Sequence, residues 1–275
     1  MMATPIGNLT DLSARAVAGL ACADIVCAED TRIASRLLNA CGLSTHLVSV
    51  REHNEQAMAK KVCRWLSDNN IVVYLSDAGT PALSDPGARL ADTIWRDGFC
   101  VSVVPGPCAA VAAWSASGVL AHSFLFQGFL PAKSIQRCLY LERWRAVDYA
   151  VICYEAPHRI ISLLSDIVKM LGVNRQLILG RELTKAFETI MRMPAGELLA
   201  WVRKDCYQQR GEMTLIICPE QLPKTDRAEL TKEADRVLRI LLLNLPIKQA
   251  VQLTHQITRA PKKSLYHLAL TLRNE

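Results

Sequence analysis

The chain has 275 residues, of which 51% are hydrophobic, and carries a net charge of +6. That is enough to bury a sizeable core and to form two or three domains of about 100–200 residues each. No apolar run approaches the roughly 20 residues of a bilayer span, and the start, MMATPIGNL, lacks the basic-then-apolar order of a secretory signal. A cytoplasmic protein without a membrane segment is expected.

The ten cysteines are scattered, with no C-x-x-C pair, and most sit inside apolar runs such as AVICYE. They are expected as reduced, small core hydrophobes. The six histidines show neither H-x-x-x-H nor H-E-x-x-H spacing, so no metal is expected.

In chain order, the first half alternates. The β-rich runs ADIVCAE, THLVSV, IVVYLSD and CVSVVPG are separated by amphipathic stretches with helical spacing, Thr31–Ala40, Glu55–Ser67 and Pro86–Arg96. Strand–helix–strand repetition predicts an α/β domain with a parallel sheet. Only ATPIG precedes the first helix, so either the first strand of that sheet is nearly absent or the chain starts late. Beyond SFLFQGFLPAKS the runs YAVICYE, RQLILGREL, ETIMRM and MTLIICPE follow. Two helices, Pro157–Leu171 and Ala195–Lys204, are predicted among them. Strands next to strands predict an α+β region with antiparallel pairs. From about Leu222 the spacing is helical, over Ala228–Leu243, Ile247–Ile257 and Lys262–Leu272, with Pro246 and Pro261 near helix starts. Two of these helices suit a helix-turn-helix. The expected domains are residues 1–128, 129–221 and 222–275.

Charge is unevenly spread. From Gln221 onward there are ten Lys and Arg against five Asp and Glu, so the tail holds +5 of the +6. Such asymmetry fits an anionic partner such as nucleic acid, or a solvated helical face.

Two loops at predicted strand ends stand out. SDAGTPALSDPG contains neither G-x-x-x-x-G-K-[ST] nor G-x-G-x-x-G. With Ala78, Gly79 and Ala82 it permits close backbone approach, and Asp77 and Asp85 supply carboxylates. VVPGPCAA bends at Pro105–Pro107 and starts a helix with small residues at Cys108. Ligands bind at the carboxyl ends of parallel strands, and this pair of loops suits a flat, mostly neutral ligand with one cationic group.

The motifs TPIGNLTDLSARA, AEDTR, SDAGTPALSDPG, PGPCAA, GFLPAK, YEAPHR, RELTKAFET and GEMTLI occur in this order. Together they resemble the bacterial ribosomal RNA small-subunit methyltransferase I family, cytidine-2′-O-methyltransferases of the tetrapyrrole-methylase superfamily. The resemblance covers about Ala3 to Pro219, more weakly the tail. It implies two α/β domains of the class III methyltransferase type with a cleft between them, plus a small helical domain. It further implies S-adenosylmethionine as cofactor, a homodimer, and a decoding-site cytidine of 16S rRNA in the small ribosomal subunit as target. The cofactor residues it implies are Pro5, Asp77, Ala78, Gly79, Thr80, Leu83, Cys108, Ala109, Tyr154, Glu155, Met213 and Thr214. Family members usually carry an apolar strand before TPIGN, from which this sequence departs.

A ribose hydroxyl is a poor nucleophile until its proton is accepted. Glu29, Asp30, Glu155, Glu182 and Lys185 are the candidates, a positioned water is the alternative, and the sequence does not choose among them. Asp30, ahead of Thr31, is expected as a helix cap. Arg32, His53, Lys133, Arg137, Arg159, Arg181 and Lys185 are candidate RNA contacts. Lys248, Arg259, Lys262 and Lys263 form the denser cluster in the tail. A tetrapyrrole methyltransferase and a non-enzymatic RNA-binding assembly factor are the alternative functions.

Overall fold

The computed structural model describes residues 1–220 and 232–273. The chain divides into two compact units, Met1–Glu220 and Gln221–Glu275.

The first unit opens with a parallel sheet of β1 (Ile25–Ala28), β2 (His46–Ser49) and β3 (Val72–Leu75) in the order β2-β1-β3. Alternation along β1 sends Val26 and Ala28 to one face and Ile25 and Cys27 to the other. The first pair packs against Leu20 of α1 (Ala14–Ala21) and Leu37 of α2 (Thr31–Ala40). The second packs against Val62 of α3 (Glu55–Ser67) and Ile94 of α4 (Ala88–Arg96). Both faces are covered, as a parallel sheet requires. The buried Glu55 carboxylate accepts from the N–H groups of Gly87 and Leu90 at 2.9 and 2.8 Å, so α3 caps the start of α4.

The predicted strand CVSVVPG shrinks to a single bridge. Val104 pairs with Met2, and Met2 in turn pairs with Leu75. Strand propensity is realised only where a ladder partner exists; here Met1–Ala3 share three bonds with Ser102 and Val104, and Pro105 and Pro107 have no N–H to extend them.

A second, five-stranded sheet follows, ordered β4-β5-β8-β6-β7. Its strands are β4 (Phe124–Phe129), β5 (Ala150–Glu155), β6 (Gln176–Arg181), β7 (Thr189–Pro194) and β8 (Met213–Ile217). Only β4 and β5 are parallel; the other pairings are antiparallel. α5 (Ala109–Ser117) covers one face through Ala110 and Ala113. On the other face lie α6 (Ser134–Arg143), α7 (Ile160–Leu171) and α8 (Ala195–Lys204), through Leu141, Leu163, Ile167 and Leu198. β4 belongs wholly to this sheet, although residue 128 was the expected boundary.

The second unit holds α9 (Lys232–Leu242), α10 (Ile247–Thr258) and α11 (Lys262–Arg273) around Leu238, Ala250, Val251, Leu265 and Ala269. The predicted helix from Ala228 begins outside the described residues.

Candidate active site

The cavity is built where the first sheet's loops meet the ends of β5 and β8. After β3 the chain turns at Gly79, whose φ of +76° favours glycine. Paired bonds between Thr4 and Gly79, 2.9 and 3.1 Å, fasten that turn to the N-terminal segment. The Thr80 hydroxyl donates to the Pro107 carbonyl at 3.0 Å, so the two bent loops lie side by side. Ala82 and Ser84 adopt φ of +67° and +63°. Left-handed non-glycine residues cost about 1–3 kcal/mol and cluster at functional sites.

The opposite wall is sheet-borne. Tyr154 and Glu155 at the end of β5 pair with Thr214 and Met213 at the start of β8. The Tyr154 hydroxyl accepts from the Ala110 N–H at 3.2 Å and fixes the start of α5. Together these walls enclose about 350 Å³, lined also by Ile6, Leu83, Asp85, Phe129, Leu183 and Glu212.

Of the predicted cofactor residues, Ala78, Gly79, Thr80, Leu83, Cys108, Ala109, Tyr154, Glu155, Met213 and Thr214 line this cavity. Pro5 and Asp77 do not; both face a smaller depression of about 190 Å³ beside α2. The Asp77 carboxylate is committed to the Asp30 N–H at 2.8 Å, which turns it from the cavity. Asp85, read from the sequence as a loop carboxylate, lines the cavity too, and the lining residues outside the predicted cofactor set sit inside motifs already quoted. Ile6 belongs to TPIGN, Ser84 and Asp85 to SDPG, Phe129 to GFLPAK, Ala156 and Pro157 to YEAPHR, Leu183 to RELTK, and Glu212 to GEMTLI. Their motif neighbourhood was the available signal.

The candidate bases fare differently. Glu155 is fully buried, accepts from Ala156 N–H at 2.8 Å and pairs with Arg159 at 3.0 Å. Burial pushes its pKa up, opposed by that N–H and by Arg159. Glu182 accepts from Lys185 and from the Glu212 N–H, both at 2.8 Å; its pKa is lowered because these bonds outweigh burial. Lys185 bridges Glu182 and Glu212, and both carboxylates raise its pKa against desolvation. Glu29, at the end of β1, lies off the cavity wall; burial and then Asp77 raise its pKa. Asp85 lines the cavity, and its pKa is pushed up to about 6 by burial and by Glu29, Asp77 and Glu212.

Several proposed RNA contacts are corrected. Arg181 is buried, donating to the carbonyls of Arg210 and Phe187 and to the Thr189 hydroxyl. Arg137 is buried against Asp166, Ser162 and the carbonyls of Pro131 and Ala132. Arg159 is held by Glu155 and the Leu130 carbonyl, and Lys185 by its two carboxylates. The buried guanidinium groups of Arg137 and Arg181 need internal acceptors and are committed to them, whereas Arg159 and Lys185 are partly exposed and ion-paired. His53, Lys133, Lys262 and Lys263 are exposed. Arg32 is exposed too but paired with Asp30, which also caps α2 through the Arg32 N–H at 2.8 Å. Among the described residues no metal-binding cluster is present, and no helix is long and apolar enough to cross a membrane.

The tetrapyrrole (corrin/porphyrin) methylases match over residues 2–199, and the RsmI C-terminal HTH domain matches residues 228–273. A Neisseria meningitidis protein called ribosomal RNA small subunit methyltransferase I is 46% identical over all of this chain and 94% of its own length. The Escherichia coli O157:H7 protein of the same name is 42% identical over 97% of this chain and 92% of its own. Among solved structures, uroporphyrin-III C-methyltransferase from Thermus thermophilus superposes with TM-score 0.55 at 19% identity, covering 79% of this chain and 92% of that one. A cobalt-precorrin-4 methyltransferase does so with TM-score 0.58 at 14% identity, covering 78% and 92%. These two likenesses establish the fold.

Proposed function

The chain belongs to the ribosomal RNA small subunit methyltransferase I family of tetrapyrrole methylases, and from that membership we propose that it methylates the 2′-oxygen of a decoding-site cytidine in 16S rRNA, using S-adenosylmethionine. The observation carrying this reading is the convergence of the Gly79 turn, the start of α5 and the ends of β5 and β8 on one cavity. The residues fit the cofactor. The volume is that of a nucleoside with a short side chain, Phe129 and Tyr154 offer aromatic faces, and Gly79 and Ala78 allow backbone approach. Bound there, S-adenosylmethionine supplies an electrophilic methyl group on a sulfonium. The protein's part is to align the acceptor oxygen behind that methyl, which carries most of the barrier reduction in such displacements.

Support for an RNA substrate comes from the second unit. From Leu245 to Arg273 the sequence contains no Asp or Glu. Lys248, Lys262, Lys263, Tyr266 and His267 line one open groove between α10 and α11. An acid-free helix pair suits a phosphate backbone, where each neutralised phosphate releases counterions. Changing Lys262 and Lys263 to Gln is expected to weaken RNA binding uniformly across sequences. It is also expected to flatten the log–log salt dependence by about 1 unit per lysine, measured by filter binding between low and physiological salt. An unchanged slope overturns this placement.

The cytoplasm, where ribosomes are modified, is the proposed location. A homodimer is proposed from the edge strand β4, where Phe124, Leu125 and Phe129 are exposed beside Leu120; sedimentation equilibrium tests it. The function is tested by incubating labelled S-adenosylmethionine with undermethylated small subunits and mapping the label. Label at the ribose of a decoding-site cytidine supports the reading. Label in a tetrapyrrole precursor, or none anywhere, removes it.

A further inference from the structure

We propose that Asp85 is the group that accepts the proton from the ribose hydroxyl, an inference that rests on the methyltransferase reading above. Four carboxylates and one ammonium were open to this role, and the structure commits most of them elsewhere. Glu155 is on the wall but fully buried and paired through Oε1 with Arg159 and the Ala156 N–H, Glu182 and Glu212 are held by Lys185, and Lys185 is itself kept protonated. Glu29 stands off the cavity wall. Asp85 alone combines a place on that wall with a carboxylate that makes no hydrogen bond or ion pair within the described residues. Its segment is fastened on both sides by hydrogen bonds. Ala82 N–H donates to the Pro86 carbonyl at 3.1 Å, and the next turn is capped by Glu55.

The charged groups that act on Asp85 come from its own loop and from two other segments. Glu29 follows β1, Asp77 follows β3, and Glu212 precedes β8 with Lys185 on its far oxygen. Tyr74 and Tyr154 also feel its charge. Burial, and then three like charges, make Asp85 a stronger base than a free aspartate, and a base titrating near the working pH is suited to proton transfer. As the ribose oxygen bonds to the methyl carbon, the carbon–sulfur bond breaks with its electron pair going to sulfur. The hydroxyl proton passes to an Asp85 carboxylate oxygen and then to water.

The test uses full-length Asp85→Asn and Glu29→Gln. In the wild type, methyl transfer is expected to rise with pH and level off above about 6, where Asp85 is ionised. Asp85→Asn is expected to bind S-adenosylmethionine by calorimetry within threefold of wild type, yet to transfer methyl about 10²–10⁴-fold more slowly, with that rise gone. Glu29→Gln removes a like charge and is expected to move the rise to lower pH. A readout independent of activity is a carbon-13 titration of the carboxylates, in which a midpoint near 6 disappears in Asp85→Asn. Stability supplies a second. An aspartate raised from about 4 in the unfolded chain favours the protonated fold, so stability falls from pH 4 to 6 in wild type and less in Asp85→Asn. Wild-type activity with an unaltered profile in Asp85→Asn overturns the proposal and leaves the methyltransferase reading intact. Lost cofactor binding in that variant also overturns it, making Asp85 a cofactor contact. A wild type that labels no RNA removes the function itself.

Discussion

Gly79→Val is expected to leave a folded protein that takes up no S-adenosylmethionine. Gly79 sits at φ +76°, where a β-branched residue is strained by about 1–3 kcal/mol. A Cβ there meets the Ile6 Cγ2 at 3.2 Å and the Pro107 carbonyl at 3.6 Å, and both Gly79 and Ile6 line the cavity. The two valine methyls therefore fall in or against the space the ligand needs. The strain lowers stability modestly, because the turn's two bonds to Thr4 use backbone atoms that any residue retains. Binding suffers far more. Each 1.4 kcal/mol of lost contact is tenfold in affinity, and excluding a nucleoside from its seat costs several such steps, so a loss of at least about 100-fold is expected. Calorimetry reads the affinity, and a thermal melt reads the fold. Gly79→Ala adds the Cβ alone and falls between. Normal binding by Gly79→Val means that the ligand sits elsewhere and the cavity has been misassigned.

Much of this site was legible because the loops that form it carry unusual residues. Gly79, Pro105–Pro107 and Cys108 advertised bends at strand ends, and the sheet placed those bends together. Two helices came out to the residue. Thr31–Ala40 follows the cap Asp30, whose carboxylate accepts from the Arg32 N–H, and the apolar spacing alone marked Glu55–Ser67. The failures share a cause. CVSVVPG has the composition of a strand, but whether such a run pairs depends on what lies beside it, and that is a tertiary fact. Asp77 and Asp85 look alike in the sequence, eight positions apart in one motif. Only the fold turns the first onto the Asp30 N–H and leaves the second facing the cavity. The surface cations failed for the same reason, since an arginine's destination is decided by the acceptors around it. Arg137 did leave a trace. It shares the buried face of α6 with Leu141, one helical turn on, a spacing that a solvated or RNA-facing arginine has no reason to keep.

Arg137 is accordingly expected to govern stability rather than RNA affinity. Its guanidinium is 1% exposed. It donates to Asp166 at 2.7 Å, to the Ser162 hydroxyl at 2.7 Å, and to the carbonyls of Pro131 and Ala132 at 3.3 Å. These contacts tie α6, α7 and the entry to α6 into one wall, and Ser134 adds a bond to the other Asp166 oxygen. Arg137→Met keeps the stem and removes the charge, leaving the partly buried Asp166 without its counter-ion. Breaking a buried pair by deleting one partner costs about 3–5 kcal/mol. In a unit of this size each kilocalorie is about 2–4 °C of melting temperature, so a fall of about 10 °C is expected. Replacing both partners removes the orphaned charge, so Arg137→Met with Asp166→Leu is expected to recover part of the loss. RNA affinity, measured well below the melting point, is expected to match wild type in the single variant. A stable Arg137→Met with weakened RNA binding returns the residue to the interface. A double variant no better than the single one shows instead that the serine and carbonyl contacts, not the charge pair, hold this wall.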